Sequence, residues 1–395
     1  MQLQSNSSHQ LSAVLQTVAK NISAKNALAI LSNVLLSQRE DGKFIFTASN
    51  STSQIAIPAP LTLVEGKFSG QVALSANDLV SYLSTLPDCV VNLSFDDAAH
   101  SMRIDYSYTT GSNEKAGNFA VPYLDGGEFP LLHGIEGDHR TIDLPVPLFL
   151  DAVAQAKVFS ANDDLRIVLN SLCIDVEEDF SQCKLVSTDG HSLIKFTHTN
   201  TPATGGSDFY RGGVPGQSMI PKTVFPVLTA FSGCETVRIE STDDTICISS
   251  GDIVFITKAI EGRFPNYEAI IPKNSAYRIC VSKKEILSVL KRVAICASKA
   301  TNMVVLKKDG IFLTITANDI DFATSACDQV FITDGECPDG FRIAFKAQNL
   351  SNVISAINGE TVRMNMESPV QACVITADEP SPIIHTLIMP MMIQD

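Results

Sequence analysis

An α+β fold in three tandem copies is predicted by two recurring helix stripes and by the strand patterns that return between them. The stripe Leu11, Val14, Leu15, Val18 comes back as Phe149, Ala152, Val153, Ala156 and again as Ile286, Val289, Leu290, Val293, each with i, i+3, i+4, i+7 spacing. A second stripe, Leu79, Tyr82, Leu83, Leu86, returns as Val224, Val227, Leu228, Phe231 and as Leu350, Val353, Ile354, Ile357. Two helix types therefore repeat with a period of roughly 130–140 residues. Alternating segments rich in β-branched residues separate them, which points to two helices packed on one face of an antiparallel sheet in each copy. Repetition of a whole domain without repetition of a catalytic constellation argues for a built shape rather than a reaction centre.

Each copy runs helix, strands, second helix, strands. Ser75-x-x-Asp78 and Ser282-x-x-Glu285 have capping-box spacing ahead of apolar runs and mark two helix starts. Strands are expected at Lys43 to Ser49, Lys184 to Thr188 and Ile311 to Thr316, ending in the related pairs Ser49-Asn50, Thr188-Asp189 and Asn318-Asp319. Further strands are expected from Val90-Val91, Thr236-Val237 and Thr361-Val362, after each second helix. Pro226 falls inside the second helix of the middle copy and should shorten or kink it. The Gly/Pro-rich stretches Thr204 to Gly216 and Asp334 to Gly340 read as surface connections. The boundaries this gives are about 1–136, 137–274 and 275–395.

Bulk properties narrow the class. A chain of 395 residues with 45 % hydrophobic residues and no run of 18 apolar ones has the character of a globular protein without a membrane span. The N-terminus lacks a basic-then-apolar signal region, and ten cysteines stand singly, with no C-x-x-C pair and no His spacing suited to zinc. They read as reduced thiols in a cytoplasm, and no metal or other cofactor is expected. The net charge of −14 argues against nucleic acid unless the field is split between faces. The third copy does gather Lys283, Lys284, Lys291, Arg292 and Lys299, while Glu177, Glu178 and Asp179 sit in a loop. With that helix taken alone, a solvated face is the commoner reading of those residues.

No phosphate-binding loop, dinucleotide fingerprint, H-E-x-x-H or G-x-S-x-G elbow occurs. Asp189 and His191 could orient one another on a strand, but no nucleophile accompanies them, and an Asp-Gly turn accounts for the same residues. Glu261-Gly262-Arg263-Phe264-Pro265-Asn266-Tyr267, followed by Pro272-Lys273-Asn274, makes a rigid linker with aromatic side chains to dock. The apolar C-terminal run Leu387 to Ile393 contains three Met, which suit either a core or a pocket that accepts many short peptides.

Thr188-Asp189-Gly190-His191-x-Leu193, Glu261 to Tyr267, Pro272-Lys273-Asn274, Thr316-Ala317-Asn318 and Met389-Pro390-Met391 together resemble the motifs of the bacterial DNA polymerase III beta subunit family, the sliding clamps. The closing Met-Pro-Met-Met-Ile-Gln-Asp and the run Asp319 to Phe322 resemble most those of the Bacteroidetes type. The threefold repeat extends the resemblance over essentially the whole chain. It implies a homodimer of three-domain chains joined head to tail into a ring that encircles double-stranded DNA. It implies no catalytic activity and no membrane contact. The implied partners are the DNA polymerase III alpha subunit, the clamp loader complex, and other polymerases and repair proteins.

The same resemblance assigns residues. Lys25, Arg166, Lys222 and Arg292 would face the duplex, in a first copy poor in basic residues and with Ile167 and Val168 where relatives carry aromatics. Leu169, Thr188, Gly190, His191, Leu193, Pro265, Val370, Met389, Pro390 and Met391 would line a cleft for short linear peptides. Ser192, Ala269, Thr301, Lys346 and Asn349 depart from better-studied relatives, which would alter the peptide preferred. Phe119 and Val121 against Ile295 and Cys296 would close the ring, although an ordinary core would also use such residues.

Overall fold

The computed structural model describes residues 1–23, 26, 28–68, 70–111, 113–199, 210–213, 215–377 and 384–393. Six α-helices carry the two stripes: α1 (Ser8–Ala19), α2 (Ala76–Leu83), α3 (Val146–Phe159), α4 (Phe225–Leu228), α5 (Lys283–Val293) and α6 (Ala347–Ala356). Every stripe residue is buried except Val14 and Tyr82, which are half-buried. In the first and third copies the two helices pack on each other, α1 on α2 and α5 on α6. The Ser75 and Ser282 hydroxyls accept hydrogen bonds from the Asp78 and Glu285 amides, both at 3.4 Å, and so cap α2 and α5.

Pro226 has the expected effect. Having no amide hydrogen, it fits only the first turn of an α-helix. Accordingly α4 is a single turn between the 3-10 segments Lys222–Val224 and Thr229–Phe231. The expected strands form as Phe44–Ser49, Gln182–Thr188, Phe312–Asp319, Val91–Asp96, Thr236–Ser241 and Thr361–Met366. The connection from Thr204 lies outside the described residues up to 209 and again at 214. Among the described residues no helix is long and apolar enough to cross a membrane.

Two compact units emerge from three sequence copies. The first unit holds Met1–Leu150, the strand Tyr210–Gly212 and Thr223–Ala259, around a fourteen-stranded antiparallel sheet. The second unit comprises residues 151–199, 215–222 and 260 onwards, around a twelve-stranded one. The middle copy thus contributes to both. Within the first unit its strand Ile253–Lys258 pairs with Ser53–Pro58 of the first copy, Val254 opposite Ala56. Within the second, its strand Ser192–Thr199 pairs with Ile384–Ile388 of the third copy, Leu193 opposite Leu387.

Candidate functional site

In the second unit, one sheet face is built from period-two alternation on five neighbouring strands. Cys173 lies opposite both Val186 and Met219, and Leu193 opposite Leu387, so these side chains share a face. The strap Phe264–Ile270 crosses that face. It drops the Phe264 and Tyr267 rings onto the apolar patch, where they are 2 % and 4 % exposed.

A cavity of about 530 Å³ opens between this strap and the 3-10 segment Ile167–Leu169. Leu165, Arg166, Ile167, Val168 and Leu169 form one wall, Pro265, Asn266, Tyr267 and Ile270 the other, and Thr188, Gly190 and Leu193 the base. A second cavity of about 480 Å³ is lined by residues 269–274, Glu367, Val370, Gln371, Ala372 and Met389, and Ile270 borders both. Leu165 is 95 % exposed, Val370 64 % and Ile167 56 %, so apolar surface is concentrated where a ligand could cover it.

The Asp189 turn shapes the base. Asp189 Oδ1 accepts hydrogen bonds from the backbone amides of His191 (2.8 Å) and Ser192 (2.6 Å), and Oδ2 accepts one from Asn349 Nδ2 at 3.3 Å. Its carboxylate is therefore spent on holding the turn, and the Asp-Gly turn reading accounts for the Asp189–His191 pair. Gly190 has φ +87°, and a Cβ there would sit 3.2 Å from Arg166 Nη1, so glycine serves both the turn and the cavity wall. The same turn recurs in the other copies. Asn50 Oδ1 accepts from the amides of Thr52 and Ser53, and Asp319 Oδ1 from those of Asp321 and Phe322.

Of the expected cleft residues, Leu169, Thr188, Gly190, Leu193 and Pro265 line the first cavity, and Val370 and Met389 the second. His191, Pro390 and Met391 line neither. The His191 carbonyl accepts from the Met389 amide at 2.7 Å, and the Met391 amide donates to the Ala344 carbonyl at 2.7 Å, which fixes the path of the C-terminal run. Leu165, Val168, Tyr267 and Ile270 belong to the lining and were not among the expected residues; the 95 % exposure of Leu165 has no signature in a single sequence. Of the departures from relatives, Ala269 lines the second cavity, Ser192 and Asn349 bond Asp189, and Lys346 starts α6. Thr301 is exposed and lines neither cavity.

The basic candidates are each engaged within the fold or lie outside the described residues. Lys25 lies outside the described residues. Arg166 pairs with Asp163 at 2.8 Å and Arg292 with Asp328 at 2.6 Å, each with more than half of its side chain exposed. Lys222 Nζ donates to the Ser160 and Ala161 carbonyls at 3.0 and 3.3 Å, and burial lowers its pKa. Among the described residues no three His, Cys, Asp or Glu are grouped to hold a metal ion, and all ten cysteines are free thiols.

Of the interface candidates, Val121 is buried in its own unit. Phe119 stacks on Tyr82 with ring centroids 4.0 Å apart, Ile295 is 81 % exposed, and Cys296 is half-buried. Two strands nearby have open edges. Asn113–Asp125 pairs on one side through residues 113–122 but on the other only through 123–125. Thr324–Asp334 pairs on one side through 324–331 but on the other only at 332 and 334. Among the described residues nothing pairs with the remaining edges of 113–121 and 324–331.

Comparison with known proteins gives a consistent family. The chain matches the N-terminal domain of DNA polymerase III beta subunit over residues 1–133, the central domain over 143–266 and the C-terminal domain over 268–392. It is 25 % identical over 377 residues to the beta sliding clamp of Caulobacter vibrioides, covering 94 % of this chain and 95 % of that one. It is 23 % identical over 378 residues to the beta sliding clamp of Synechocystis sp., covering 93 % of each. Among solved structures it superposes on the Pseudomonas aeruginosa sliding clamp bound to griselimycin with a TM-score of 0.84 at 18 % identity, covering both chains fully.

Proposed function

Because this chain belongs to the DNA polymerase III beta subunit family, we propose that it acts as a sliding clamp: a processivity factor that encircles duplex DNA and tethers the replicative polymerase. The observation that carries this reading is the succession of three clamp domains in order, together with two adjoining cavities on the second unit, the first of them mainly apolar. The chain would be an accessory subunit without catalysis of its own, organised as domains 1–136, 137–274 and 275–395 and working in the cytoplasm. Its partners would be the DNA polymerase III alpha subunit, the clamp loader, and other polymerases and repair proteins, each docking a short extended segment in the cleft. Exchange among them requires modest affinity, which a groove with a few apolar anchors provides.

The ring would form from two chains, with the open edge 113–121 of one protomer laid along 324–331 of its partner, and with Phe119 and Ile295 beside the seam. Free backbone donors and acceptors on both edges support this pairing. A closed ring holds DNA by topology, so its phosphate contacts need only be weak and sequence-blind. Arg166 and Arg292 suit that requirement, because each must leave a carboxylate to meet a phosphate.

The cleft is tested by titrating a fluorescent peptide that copies the clamp-binding segment of the same cell's polymerase alpha subunit. Ile270 is 45 % exposed, so Ile270→Glu should fold normally while placing a charge at the border of both cavities. Affinity should fall at least tenfold, roughly the effect of leaving one charge poorly solvated. Equal binding by both proteins would remove the cleft assignment.

A further inference from the structure

The sheet face beneath the strap is divided into an apolar half and a charged half. Two residues along from Cys173, Val186, Leu193, Met219 and Leu387, and on the same side of their strands, stand Asp175, Lys184, Lys195, Gln217 and His385. The strap engages both halves. Its rings cover the apolar one, while Tyr267 Oη donates to Asp175 Oδ2 at 2.8 Å and the Phe264 amide donates to Gln217 Oε1 at 3.2 Å. Glu268 keeps 45 % of its side chain exposed, yet its Oε1 reaches the sheet and accepts from Lys184 Nζ at 2.9 Å and Lys195 Nζ at 3.1 Å. Lys184 also pairs with Glu177 at 2.5 Å.

Both lysine side chains are only 11 % exposed. Two nearly buried ammonium groups cost free energy that apolar residues of similar size would not, so stability alone does not explain them. What they supply is direction. An apolar contact lets a strap slide over its sheet, whereas charge-assisted hydrogen bonds to one carboxylate oxygen fix its position. The same strap lines the first cavity through Pro265, Asn266, Tyr267 and Ile270.

We propose that Glu268, gripped by Lys184 and Lys195, is a positioning residue that holds the cleft wall at its binding height without touching the bound peptide. The proposal rests on the docking function given above. Burial by itself would raise the Glu268 carboxyl, but the two lysines outweigh it and hold it below the ordinary carboxylate range, so the grip is ionic at neutral pH.

Three proteins decide it: the wild type, Glu268→Gln, and a triple variant Lys184→Met/Lys195→Met/Glu268→Leu that replaces Glu268 and the two lysines gripping it by apolar groups and leaves the partly exposed Glu177 to solvent. The readouts are the dissociation constant of the polymerase-derived peptide, the amide hydrogen exchange of residues 266–271, and the melting temperature. Glu268→Gln should bind about tenfold more weakly, the usual scale for losing a hydrogen bond to a charged group, and its strap amides should exchange faster. The triple variant should melt no lower than the wild type and still bind as weakly, which separates positioning from stability. Wild-type affinity in either variant would overturn the proposal. Should the wild type itself fail to bind the peptide, the docking function falls instead, and unchanged exchange in Glu268→Gln would then overturn the positioning role on its own.

Discussion

His385 stands beside Lys195 on the charged half of the sheet face, and its titration ties stability to pH on the acid side of neutrality. Burial, reinforced by Lys195, depresses its pKa below the ordinary 6.5, with Glu268 opposing. In the unfolded chain the imidazole binds a proton near pH 6.5, whereas in the folded chain it resists, so stability is complete above 6.5 and declines as pH falls from there toward the folded pKa. His385→Gln should flatten this limb in urea midpoints taken at about pH 7.5, 6.5 and 5.5. Identical slopes for variant and wild type would place the acid sensitivity elsewhere. At this scale the sequence was readable where local chemistry decides the outcome: Asp189-Gly190 as a turn follows from the dipeptide itself, whereas Leu193 and Pro265, which line the first cavity, were singled out only through the family resemblance. Glu268 was not readable, because its partners lie 73 and 84 residues away and nothing local points to them.

Helix starts show how far local rules extend at the level of elements. The Ser282 cap on α5 satisfies an amide that would otherwise face solvent, and Ser282→Ala should lower stability by about 1 kcal/mol in denaturant titrations. No measurable change would mean that water replaces the hydroxyl there. The stripes located all six helices because each faces one core, and period 3.6 is then forced on the sequence. Pro226 even announced the reduction of α4 to one turn. Strand partners were a different matter. Period-two alternation says which side of a strand is buried but not which strand lies beside it, so the pairing of Ile253–Lys258 with Ser53–Pro58 and of Ser192–Thr199 with Ile384–Ile388 had no local signal.

For the assembled molecule, the two open edges set the decisive expectation. Light scattering in line with size exclusion should give a mass near twice 42.6 kDa, and Ile295→Glu should shift the population toward monomer, because a charge would enter the seam beside the paired edges. A variant that stays fully dimeric would move the interface away from Ile295. Retention on circular DNA should vanish when the circle is cut, and it should weaken only shallowly with salt, since few phosphates are neutralised by a chain of net charge −14. The two ladders that run between copies have another outcome. Because the middle copy is stitched by β-pairing to the first copy in one unit and to the third in the other, its ends in sequence are not the places where the structure comes apart. A chimera cut at 136 and 274 would force mismatched edges together in both sheets, whereas an exchange that carries Ser53–Pro58 with Ile253–Lys258, or Ile384–Ile388 with Ser192–Thr199, would keep each ladder's native partners. A transplant that keeps both sheets whole must therefore carry each cross-copy strand together with its partner.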